Sequence, residues 1–143
     1  MRGPSGVVIL HVMSNAVFSG TLTWTPPGGG GVHVTNVSVS CTYAAQSDGT
    51  IDIPDTTPST TAFSLAFGSI ATPKMLLIKN DNNQDMGIRL QSAMSDEFQV
   101  PANSEVMIAM PTAPLSNPIT AIKVVTTALQ TGAGSVSYLL FGD

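Results

Sequence analysis

Cysteine, charge and aromatic residues are all scarce in this 143-residue chain, and each shortage closes off a class of function. The single cysteine, Cys41, permits no intrachain disulfide and no thiolate zinc site. It stands in an alternating stretch and reads as a buried small hydrophobe. A reactive thiol needs a histidine or a cation beside it, and its sequence neighbours supply neither. Charged residues make up only 10% of the chain, against about a quarter in ordinary domains. The five basic residues, Arg2, Lys74, Lys79, Arg89 and Lys123, are scattered, and the formal net charge is −4. Nucleic acids and anionic membranes are held by clustered positive charge, so neither partner is expected. One Trp and two Tyr leave few flat platforms for sugars, and only Trp24 lies beside a loop. No apolar run approaches the length that spans a bilayer.

What is present is apolar and hydrogen-bonding. Hydrophobic residues reach 43%, which argues against disorder and for one domain with a sizeable core. Ser and Thr do much of the solvating that charged residues normally do. Arg2, the apolar run at 7–13 and Ser14-Asn-Ala16 imitate a secretory leader. The run is short, contains His11 and follows Gly3-Pro4, so a strand is the better reading.

The chain alternates short apolar runs with turn residues. Thr21 to Trp24 reads as a short strand, followed by Pro26-Pro27 and four glycines, Gly28 to Gly31. Residues 32–43 are the clearest strand, with Val32 and Val34 in one phase and Val37, Val39, Cys41 and Tyr43 in the other. The flip predicts a β-bulge at Thr35-Asn36. Residues 44–49 read as a turn, 50–53 as a short strand and 54–61 as a loop. Phe63, Leu65 and Phe67 share one face of the next strand. Residues 75–78 are apolar throughout, as in a strand buried on both faces. Strands follow around Ile88, Phe98, Val106 and Val136. Residues 116–130 mix near-helical spacing with Ile, Val and Thr, and are read as a strand. The expected core comprises Phe63, Leu65, Met75, Leu77, Ile88, Leu90, Val106, Ile108, Val136 and Tyr138. Strands punctuated in this way predict an all-β fold, an antiparallel β-sandwich or barrel.

No catalytic signature emerges. Asp81-Asn-Asn-Gln-Asp85 begins like a calcium loop, but Met86 and Ser92 stand where an EF-hand needs Gly and Glu. A polar β-turn between Ile78 and Ile88 fits better. Asp48, Asp52 and Asp55 read as solvated turn residues rather than an acid–base cluster. His11 and His33 lie in separate strands without metal-ligand spacing. Catalytic, metal and cofactor sites are therefore all expected to be none.

Three segments carry a resemblance. Gly68-Ser-Ile-Ala-Thr-Pro-Lys-Met-Leu-Leu-Ile-Lys-Asn80, Phe98-Gln-Val-Pro-Ala-Asn-Ser-Glu-Val106 and the closing Val136-Ser-Tyr-Leu-Leu-Phe-Gly-Asp143 resemble small structural proteins of tailed-bacteriophage virions. The resemblance covers somewhat over half the chain and rests on strand-and-turn wording. It implies a jelly-roll-like β-sandwich, localisation in the virion and a non-enzymatic role. That role is capsid decoration or minor capsid protein docked on the major capsid protein, or else a tail, baseplate or fibre component with host-surface or glycan binding. The scarcity of charge and the loosely held apolar strand at 7–13 argue for a homo-oligomer, and the resemblance makes a trimer the first expectation. The expected organisation is a single domain, 1–143, in which 1–31 is an N-terminal arm with a Gly/Pro-rich loop and 32–143 the sandwich core.

Overall fold

Period-two patterning carries nearly the whole chain into extended backbone. The computed structural model describes residues 13–91, 93–109 and 119–143, and among these there are ten strands and no helix. They are β1 (Ser14–Trp24), β2 (His33–Tyr43), β3 (Ala45–Ile53), β4 (Ala62–Ser64), β5 (Pro73–Asn80), β6 (Met86–Leu90), β7 (Phe98–Val100), β8 (Ser104–Ala109), β9 (Ile122–Thr126) and β10 (Gly134–Gly142). All pairings are antiparallel, so the all-β class expected from the sequence is observed.

The strands form three sheets. β1 and β2 make a two-stranded ribbon, β3-β10-β5-β8 a first four-stranded sheet, and β4-β9-β6-β7 a second. The two larger sheets share one apolar cluster. Leu76, Ile78, Val136 and Leu140 enter it from the first, and Met86, Ile88, Val100, Ile122 and Val124 from the second, all essentially free of solvent. Each such side chain contributes about 1.5–3 kcal/mol relative to an exposed one. Tyr138 adds its ring and uses its hydroxyl to accept the Ala66 amide at 3.0 Å. That ring lies across the middle of β3 and explains Gly49: a Cβ there would stand 2.9–3.0 Å from the Tyr138 phenol. Below, the two four-stranded sheets together are termed the body.

Several expectations need correction. The strand expected at 21–24 begins seven residues earlier, at Ser14, because Ala16, Phe18, Leu22 and Trp24 alternate with Asn15, Ser19, Thr21 and Thr23. The bulge at Thr35-Asn36 is absent: the β1–β2 register runs unbroken from Ser14↔Tyr43 to Trp24↔His33. The phase flip is real but costs nothing in pairing, because Val34 simply lies on the polar face opposite Thr23. Residues 44–49, read as a turn, are a bend at Ala44 followed by β3, whose small residues fit against β10. Within the single expected domain, the division between arm and core at residue 32 falls at the ribbon's turn: β2 pairs with β1, and the two larger sheets begin with β3.

Residues 75–78, expected to be buried on both faces with Met75 and Leu77 in the core, meet that expectation except at Leu77. Leu76 and Ile78 point into the core, whereas Leu77 is half-exposed on the outer face beside Leu139 and Met107. Met75 shares that outer face and is nevertheless buried. Of the remaining core expectations, Leu65, Ile88, Val136 and Tyr138 are buried, and Phe63, Leu90, Val106 and Ile108 pack partly buried against them. The expected strand at 7–13 lies outside the described residues apart from Met13. Of the strand expected over 116–130, only β9 (Ile122–Thr126) is observed, and residues 116–118 also lie outside the described residues.

Candidate interaction surface

The β1–β2 register sorts the ribbon's side chains into two unlike faces. One carries Ala16, Phe18, Leu22 and Trp24 from β1 with Val37, Val39, Cys41 and Tyr43 from β2. The other carries Asn15, Ser19, Thr21, Thr23, Asn36, Ser38, Ser40 and Thr42, interrupted by Val17 and Val34. The apolar face is open: Phe18 is 43% exposed, Leu22 54% and Trp24 43%. No Lys, Arg, Asp or Glu occurs anywhere from Gly3 to Ser47. At the far end Trp24 stacks on His33, with ring centroids 5.1 Å apart and planes 17° from parallel. Between them runs the Pro/Gly-rich turn, where Gly28 and Gly29 take positive φ (97° and 84°) that other residues rarely adopt.

The ribbon's base rests on the body. The Ala44 amide donates to the Gly142 carbonyl at 3.0 Å, and Lys74 Nζ donates to the Thr42 carbonyl at 2.8 Å while pairing with Asp143. Tyr43 packs on Phe141, ring centroids 4.6 Å apart. Between ribbon and body lies a groove of about 350 Å³, lined by Ala16, Phe18 and Tyr43 on one side and Met75, Leu77, Met107, Leu139 and Phe141 on the other. The apolar face of the ribbon thus continues onto the outer face of the first sheet.

The chemically versatile residues do not converge. Cys41 is half-buried, and burial pushes its thiol pKa up, only partly opposed by Lys74, so it is no activated nucleophile. Lys74 is the cation that local sequence did not reveal; the turn from β2 into the body brings it near. His33 is engaged with Trp24, and His11 lies outside the described residues. Asp48 and Asp52 are exposed on β3, while Asp55 Oδ1 accepts the amides of Thr56 and Gly132 at 2.9 and 2.7 Å. Among the described residues no three His, Cys, Asp or Glu side chains are placed to hold a metal ion.

The polar segment at 81–85 is a structural latch. It does not close a hairpin, because β5 and β6 belong to different sheets. Asn80, fully buried, donates through Nδ2 to the carbonyls of Gln84, Val100 and Pro101 at 2.9–3.1 Å. Its Oδ1 accepts the backbone and side-chain amides of Asn82, both at 3.0 Å. Asn83 and Gln84 donate to the carbonyls of Thr131 and Leu129, and Asp85 accepts the Ala102 amide. Gly134 leaves the space that the Asn82 amide fills. Of the oxygens that suggested a calcium loop, Asp85 Oδ1 holds the Ala102 amide and Asp81 Oδ1 pairs with Lys79, while Asn83 and Gln84 act through their side-chain nitrogens.

Comparison with protein-family models, with curated proteins and with solved structures yields no match.

Proposed function

We propose that the chain is a non-enzymatic structural protein of a tailed-phage virion, a capsid decoration or minor capsid protein that docks on and stabilises the major capsid shell. The observation that carries this reading is the uncharged ribbon, held on a well-packed body with its apolar face open. Contiguous exposed apolar surface of this kind marks an interaction site, since soluble monomers rarely leave it uncovered. Strand order adds support to the finer fold reading. Sheets ordered β3-β10-β5-β8 and β4-β9-β6-β7, with most connections crossing between them, fit a jelly-roll-like β-sandwich. That architecture recurs in viral capsid and lectin domains, although a fold alone does not assign a role. The resemblance of residues 68–80, 98–106 and 136–143 to virion proteins supplies the particle.

The test is mass spectrometry and imaging of purified particles. The chain should be present in fixed ratio to the shell protein and occupy symmetry-related positions on the shell. Its absence from washed particles refutes the reading. A tail, baseplate or fibre position with glycan binding is the second reading. It is favoured by the stacked, half-exposed Trp24–His33 pair at the ribbon's end. Density confined to the tail, with glycan-array binding abolished by Trp24→Ala, would replace the first reading with the second.

A further inference from the structure

We infer that the apolar face of the β1–β2 ribbon is covered by the same face of another copy of this chain, in a closed homo-oligomer. The inference rests on the reading of the ribbon as an assembly surface and assigns that face to contacts between copies, so that docking on the shell falls to the remaining surface of the oligomer.

Charge selects this occupant. All nine acidic residues and four of the five basic ones lie between Asp48 and Asp143, giving 4 − 9 = −5 for that part of the chain. Copies that met body to body would bring like charge together, whereas copies that meet ribbon to ribbon bring none. A foreign partner is usually selected through complementary charge, and this face offers none to read. Neutral and apolar, it is complementary to itself, as an interface between identical subunits requires.

Geometry agrees. A lone two-stranded hairpin is marginal in water and needs another layer on its apolar side. A second ribbon supplies one of matching length and alternation. At about 3.4 Å per residue and about 5 Å between strands, the face is on the order of 37 Å by 10 Å. That is on the order of 370 Å², about half the roughly 800 Å² per partner of a standard interface, and the apolar outer face that continues from it adds Leu77, Met107 and Leu139. Both ribbon edges also lack the lysines and aspartates that normally deter pairing.

The test is sedimentation equilibrium on the full chain at micromolar concentration, for wild type, Leu22→Glu and Thr21→Glu. Leu22 lies on the apolar face, and its neighbour Thr21 on the polar one. Wild type and Thr21→Glu should have a small integral multiple of 14.8 kDa, and that multiple gives the number of copies. Leu22→Glu should associate about a hundredfold or more weakly, because carboxylates would be buried unpaired at the interface. Alkylation of Cys41, on the same face, is the second readout: slow in the oligomer and faster in Leu22→Glu at equal circular dichroism. A monomeric wild type, or equal weakening by both variants, overturns the inference. A monomer that still joins particles defeats this inference alone, and an oligomer absent from particles defeats only the virion reading.

Discussion

Leu76 and Leu77 are adjacent in β5 and should respond very differently to truncation. Leu76 is fully buried, level with Leu140 on one neighbouring strand and Ile108 on the other. Leu76→Ala removes three carbons, worth about 2.4 kcal/mol of transfer at ~0.8 kcal/mol each. A cavity term follows, because Leu140 is itself fully enclosed and Ile108 partly so, and the total falls at about 3–4 kcal/mol. Leu77 lines the open groove beside Leu139 and Met107. Half-exposed, it forfeits about half the transfer term, near 1 kcal/mol, and leaves no enclosed void. Urea unfolding followed by circular dichroism measures both, with an unchanged m-value as the condition for comparison. In thermal melts the Leu76 variant should lose roughly 10 °C and the Leu77 variant about 3 °C. Equal losses, or the reverse order, would show that the strand's inward phase has been misassigned and that the groove is closed in solution.

Two further outcomes follow from the buried polar groups. Asn80→Leu should destabilise the chain by at least about 3 kcal/mol in the same urea assay, because it strands three carbonyls and the Asn82 amide; a loss under about 1 kcal/mol would mean that water replaces the latch. Cys41 should give a pH signature: its thiol pKa is raised by burial, so its contribution to stability is intact below the unfolded thiol's pKa and is lost as pH climbs through the folded one. Denaturation midpoints of wild type and Cys41→Ser should therefore run parallel at neutral pH and converge above it, and a gap that widens with pH would contradict the burial.

Legibility followed the range of the interactions involved. Alternation in β2 and β10 is local, and the strands there were readable, as were the loop at 54–61 and the polar break at 81–85. The run Met75-Leu-Leu-Ile78 has no period, so nothing local tells which leucine turns inward; that depends on which neighbours lie in register. Residues 44–49 have turn-like composition, yet from Ala45 they extend in register with β10, a strand far along the chain whose Tyr138 lies over Gly49. The latch amides are visible as a polar cluster, but the carbonyls of Val100, Pro101 and Leu129 to which Asn80 and Gln84 donate arrive only through the fold.

The ribbon is a different kind of problem. Its two strands are locally consistent, with a clean register, a glycine turn and one apolar face, yet that face meets only a groove at its base and otherwise solvent. In a chain whose other levels agree, such a conflict between local pattern and packing points to a functional site rather than a defect. Nothing else in the described chain reaches the ribbon's outer half. The conflict disappears if a second ribbon is counted as part of the structure, because the apolar face then becomes an interior, and the missing charges cease to be a lack of protection and become the condition for identical surfaces to meet.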